Sequence, residues 1–196
     1  FRHYAQCKFE TEPETQSHIV MKAFFYEYYK KRLGLESDIE MRIGDRIADV
    51  FVNFGGNKIV IECQASPITK EELVQRTNDY NQLGYYILWV LNADNRNFHI
   101  TFQTQDASYI KLREIERILH RMYFGRVYYY LDGGIVAAHY IGRKRSRTAI
   151  IKGTRIFNLK LVVAKNKYEP FHSIARFTDR AWWTDENRKI ADVGQN

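Results

Sequence analysis

The sequence predicts an α/β fold, a sheet covered by helices. Three observations predict it. Segments of helical and of strand-like periodicity alternate from residue 14 to residue 92. Capping residues stand at the helix starts. Glycine turns separate short apolar runs. The length of 196 residues suits one large domain, or a domain with a substantial extension. A hydrophobic share of 45%, a charged share of 27% and only 3 prolines fit a folded chain rather than a disordered one.

Residues 1–13 read as an irregular lead-in. Thr11, Pro13 and Glu14 together form a helix-start signal. A helix rich in aromatics is expected from Glu14 to Leu33, with Ile19, Ala23, Tyr26 and Leu33 recurring at helical spacing. Lys30, Lys31 and Arg32 fall in its last turn, where they suit the helix dipole, and Gly34 supplies the stop. Three strands follow, over residues 37–43, 46–54 and 58–64. Gly55-Gly56-Asn57 between the last two favours a hairpin. Ser66-Pro67 breaks the third strand. Thr69 and Glu72 then open a helix that runs to about Leu83 and stops at Gly84. Tyr85–Asn92 is a strongly apolar strand. Its helical crossover predicts that it lies parallel to the third strand.

Later elements are less sharply marked. Tyr109, Leu112, Ile115 and Leu119 predict a helix over 108–122, ended by Gly125. Asp132-Gly133-Gly134 predicts a second hairpin. Residues 148–164 alternate between strand-like and basic, and the tail from about Asp185 is polar. The expected organisation is a lead-in over 1–13, a core over 14–105 in the order helix, three strands, helix, strand, and a basic α+β extension over 106–196.

Charge divides the chain unevenly. Residues 1–100 hold 12 Lys and Arg against 14 Asp and Glu, whereas residues 101–196 hold 18 against 9. The second half therefore suits a polyanionic partner, or simply a solvated basic surface. Its densest basic run is Arg143, Lys144, Arg145 and Arg147. With Tyr128, Tyr129, Tyr130 and Tyr140 nearby, that run fits a nucleic-acid backbone and stacked bases, or a solvated hairpin tip. Trp182 and Trp183, beside Arg180, read as an anchor onto the core or onto a partner.

Other classes lose support. No apolar run approaches the roughly 20 residues that cross a bilayer, and the start lacks a signal-peptide pattern. The two cysteines, Cys7 and Cys63, allow one disulfide at most, and a reducing cytoplasm is the simpler reading. The six histidines form no CxxC, HxH or HExxH pattern with their neighbours, so zinc has no support. The chain begins at Phe1 without an initiator Met, so a processed or trimmed product is expected.

Chemistry concentrates on the second and third strands. Asp49 in IADVFV and Glu62 in IVIECQ are acids inside runs that otherwise look buried on both faces. An unpaired buried carboxylate is costly, and a divalent cation is one partner that offsets the cost. Pairing with Arg46, Lys58 or Arg76 is another. Strand alternation puts Gln64 on the face of Glu62, and a short hairpin lets Asp49 approach it. Acid, acid and amide at one end of a sheet could hold a metal and a water against a phosphate. His18 and Lys22 share a face of the first helix. Arg76 and Tyr80 share one of the second and could reach phosphate, sugar or base, or serve as an ion pair and a core tyrosine. Cys63 lacks a neighbouring His and is a poor nucleophile.

These residues resemble a known family. RIADVFV, IVIECQASPITKEELVQRTNDY and GYYILWVLN look like the competence protein CoiA family, a branch of the PD-(D/E)XK nuclease superfamily. Arg46, Ala48, Asp49, Val50, Ile61, Glu62, Gln64, Ser66, Arg76, Thr77, Tyr80 and Trp89 carry the match. FRHYAQ and Ser17-His18 resemble the family's opening segments. The resemblance covers residues 1 to about 92 and implies a restriction-endonuclease-like core. It implies that Asp49 and Glu62 bind Mg²⁺ or Mn²⁺, with the Cys63 backbone carbonyl as third ligand. It places Gln64 where the superfamily has a catalytic lysine, a departure this branch shares; Lys58 or Lys70 is then a candidate for the missing charge. The cysteine-containing segment that often precedes the family's opening is not in this sequence. The expected function is metal-dependent hydrolysis of DNA phosphodiester bonds, endonucleolytic, with DNA as partner and a homodimer or recombination and DNA-processing proteins as candidate associations. The alternative is a nucleic-acid-binding module with an inactive nuclease core.

Overall fold

The computed structural model describes residues 15–93, 108–110, 113–143, 149–166 and 172–178. The chain opens on helix α1 (Gln16–Tyr26), capped by the Thr15 hydroxyl, which accepts the His18 N–H at 3.3 Å. The signal at Thr11–Glu14 lies outside the described residues. A π-helical segment, Glu27–Arg32, continues α1, and the N–H of Gly34 closes it on the Lys30 carbonyl. The buried stripe is Met21, Phe25 and Tyr29. The predicted stripe is incorrect, because Ile19 and Leu33 are 43% and 45% exposed. An aromatic-rich helix offers apolar residues on several faces. The widened π turns here favour the set spaced by four.

Strands β1 (Ser37–Ile43), β2 (Arg46–Phe54) and β3 (Asn57–Gln64) form an antiparallel meander. Gly44 in the first turn has φ 58°, and an added Cβ there would meet Leu83 Cδ1 at 2.9 Å. Gly55 and Gly56 in the second turn both have positive φ, as a two-residue primed hairpin turn requires. Helix α2 (Lys70–Gln82) starts where Thr69 accepts the Glu72 N–H. Strand β4 (Tyr86–Asn92) then runs parallel to β3, as the crossover predicts, with Glu62 beside Trp89.

The predicted helix over 108–122 is two elements. Ser108–Ile110 is a short strand, β5, and the helix α3 spans only Glu114–Met122. Periodicity alone did not separate them. Strands β6 (Arg126–Leu131) and β7 (Gly134–Arg143) form the expected hairpin around Asp132-Gly133. They are followed by β8 (Ala149–Ile156), β9 (Leu161–Asn166) and β10 (His172–Phe177). Among the described residues all ten strands join one mixed sheet, in the order β1-β2-β3-β4-β6-β7-β8-β5, with β9 and β10 as a branch. β4 is its hub. It pairs with β3 on one side, and on the other with β6 near its end and β10 near its start.

Helix α1 covers one face, where Phe24 meets Tyr130 and Phe25 stacks on Phe177. Helices α2 and α3 cover the other. There Thr77 accepts the Trp89 indole N–H at 3.0 Å, and Glu116 accepts the Tyr129 hydroxyl at 3.0 Å. Tyr128, Tyr129 and Tyr130 are buried in this packing, so they present no surface on which bases could stack. Among the described residues no helix is long and apolar enough to cross a membrane.

Candidate active site

The register of β2 and β3, with Val50 opposite Ile61, brings Asp49 level with Glu62. Hydrogen-bonded pairing ends at Val50 and Ile61. There the Asp49 carboxylate takes over, and its Oδ2 accepts the Cys63 N–H at 2.7 Å. A side chain thus replaces a ladder bond at the point where the strands part.

The two carboxylates draw partners from opposite layers. Asp49 Oδ1 meets His18 Nε2 of α1 at 3.1 Å. Glu62 Oε2 pairs with the Arg76 guanidinium of α2 at 2.6 Å, and Arg76 lies over the Trp89 ring. The Glu62 side chain is 1% exposed, and its Oε1 has no hydrogen-bond partner among the described residues. Burial, with the negative charge of Asp49 added, pushes the Glu62 carboxyl up to about 7, even though Arg76 and Tyr80 oppose the shift. Burial works against the Arg76 charge, but Glu62, Tyr80 and Asp49 together outweigh it and hold the guanidinium firmly protonated. The Tyr80 hydroxyl donates to the Ile47 carbonyl at 3.2 Å, and its pKa is raised by burial and then by Glu62.

His18, Asp49, Glu62, Arg76 and Tyr80 are therefore brought together. Gln64 is not joined to them by a hydrogen bond. Its amide donates to the Ser66 carbonyl at 2.7 Å, and it lines a cleft of about 180 Å³ with Ile68, Leu91, Asn92, Arg113 and Tyr129. Lys58 sits at the far end of β3, over the Tyr85 ring, so it does not supply a charge here. Lys70 is exposed at the start of α2. Arg46 pairs with Glu72 and Asp79 rather than with either strand acid. Cys63 is a free, buried thiol. Burial raises its pKa, Asp49 and Glu62 raise it further, and Lys22 lowers it. That environment does not make a nucleophile.

Sequence reasoning missed the neighbours of Asp49 on its other side. The β1–β2 register, with Ile39 opposite Val50 and Met41 opposite Ala48, brings Glu40 level with Asp49. Glu40 has φ 54° inside a strand and accepts the Lys22 ammonium at 2.7 Å. Only the shared helix face of His18 and Lys22 hinted at this. Arg143 ends β7, whereas Lys144, Arg145 and Arg147 lie outside the described residues, as do Trp182, Trp183 and Arg180.

Together these features define a mixed α/β protein whose paired strand acids are served by a helix from each layer. A family model, competence protein CoiA, nuclease-like domain, matches residues 14–127. The match covers more than half of the chain, and the chain belongs to that family. No curated protein and no solved structure matches it significantly.

Proposed function

We propose that this protein is a divalent-metal-dependent deoxyribonuclease that cuts within DNA strands. The observation that carries the reading is Glu62. A carboxylate is buried beside a second one, and one of its oxygens lacks a hydrogen-bond partner among the described residues. Such an arrangement is costly unless a cation completes it. Among the described residues no three or more His, Cys, Asp and Glu side chains group as metal ligands. Asp49 and Glu62 would supply two carboxylates, a donor type that suits Mg²⁺ or Mn²⁺ completed by water and phosphate oxygens. In this reading Asp49, Glu62 and the Cys63 carbonyl hold the ion. A bound ion would stabilise charge on the phosphate and lower the pKa of a water.

The remaining roles belong to the chain. His18 and the Cys63 N–H fix the Asp49 carboxylate from two directions. Arg76 fixes Glu62 by one oxygen and leaves the other available. Tyr80 helps keep Glu62 in its charged form. Gln64 offers an amide at the cleft rather than a cation. Arg143, Lys144, Arg145 and Arg147 are proposed to contact the DNA backbone, and a homodimer or DNA-processing partners are proposed associations. One observation favours a second reading, a DNA-binding module with an inactive core. Arg76 already neutralises Glu62, and Gln64 is turned to Ser66.

Incubation with linear, circular and single-stranded DNA decides between them. Cleavage is expected with Mg²⁺ or Mn²⁺ and not with EDTA. It should be lost on Glu62→Gln or Asp49→Ala while circular dichroism stays native. Salt-sensitive DNA binding without cleavage would establish the inactive module instead.

A further inference from the structure

Lys22 is the buried charge that the proposed mechanism leaves unused. Its side chain is 6% exposed. A buried ammonium is costly unless it is paired. Its partner Glu40 is itself held at φ 54°, a left-handed conformation that is unfavourable for a non-glycine residue. Two unfavourable features thus coincide on one contact. Backbone strain of this kind collects at functional sites because the surrounding fold must be arranged to hold it.

The placement is specific. His18 and Lys22 lie four residues apart on α1, on one helix face. His18 reaches Asp49, and Lys22 reaches Glu40, which the register sets level with Asp49 on the next strand. Glu40, Asp49 and Glu62 are consecutive across β1, β2 and β3. The row therefore holds three carboxylates, and Lys22 is the cation that α1 delivers to it. On the other layer, Arg76 serves Glu62.

We infer that Lys22 is a positioning residue of the site, its ammonium set by Glu40 so that a fixed positive charge stands beside Asp49 where Gln64 provides none. This rests on the nuclease reading. The charge acts through space, without touching substrate. A preset charge offsets negative charge that develops on a phosphate, at no cost in reorganisation. The same charge must also repel a divalent cation held by Asp49. Lys22 therefore weakens metal binding while it speeds cleavage. A residue with a merely structural role would not have these opposed effects.

Lys22→Gln separates the two roles, since the amide still donates to Glu40 but carries no charge. Calorimetric titration with Mn²⁺ is expected to show affinity raised at least about threefold. Single-turnover cleavage should fall by about 100-fold, in rate rather than in KM. Lys22→Arg should restore most of the rate. Glu40→Gln should weaken Mn²⁺ binding, and it keeps the test open if Lys22→Gln does not fold. If Lys22→Gln cleaves within threefold of wild type, or loses Mn²⁺ affinity in step with rate, the inference falls alone. Wild-type protein without Mn²⁺-dependent cleavage would remove the nuclease reading and this inference together.

Discussion

Arg76 and Glu62 illustrate how a single pair can serve both fold and site. The carboxylate is almost fully enclosed, and the guanidinium bridges it to the Trp89 ring. Removing one partner leaves a buried charge, whereas replacing both leaves an apolar contact. Arg76→Met is expected to destabilise the metal-free protein by about 3 kcal/mol, and Arg76→Met/Glu62→Met to recover most of that loss. Urea denaturation of the two variants measures both values. At this scale much was legible in the sequence. Two acids inside apolar strands are conspicuous wherever they occur. Their partners were less so, because Arg46, Lys58 and Arg76 were equally plausible until the helices were placed. Glu40 was invisible. It looks like any exposed strand acid, and nothing local announces a left-handed backbone at a glutamate.

Local elements followed their signals where the signal was steric or capping chemistry. The two-residue turns at Gly55-Gly56 and Asp132-Gly133 and the Thr69 cap stand where the sequence sets them. Signals based on apolar spacing failed twice, in the stripe of α1 and in the single helix expected over 108–122. Aromatic residues satisfy several periods at once, and only packing selects among them. The last turn of α3 offers a test. His120 is partly buried there, and burial, then the neighbouring Arg121, lower its pKa below 6.5. An imidazole kept neutral by the fold adds stability that is complete above the unfolded pKa. That stability is lost as pH falls through the lower folded value. Unfolding free energy should therefore decline on acidification from about pH 6.5. His120→Gln should flatten that part of the curve. An unchanged slope would assign it to other groups.

At the scale of the molecule, β4 is joined to the strands of both halves. Asn81 of α2 reinforces this by donating to the Ser173 carbonyl at 2.9 Å and accepting the Ser173 N–H at 2.6 Å. Asn166 does the same for the end of α3, donating to the Arg121 and Met122 carbonyls. These long-range bonds could not be read from local pattern, which marked residues 106–196 only as basic and mixed. A chain ending at residue 105 would leave the whole outer edge of β4 unpaired and uncover the Phe25–Phe177 contact. It is expected to aggregate or to melt without a cooperative transition, whereas the full chain should unfold in one step by calorimetry. A cooperative, soluble 1–105 fragment would show instead that the first half is an independent unit.

The position of β10 also sets an order of events during synthesis. The ribosome releases Asp49 and Glu62 early, yet the strand that lies against the start of β4 is among the last described segments to emerge. Because non-local pairing must wait for its partner, the acids are made long before the sheet around them is complete. A protein proposed to cut DNA would thus carry its acids for some time before the sheet that holds them is assembled, and a chain that stops short of β10 is expected to be inert.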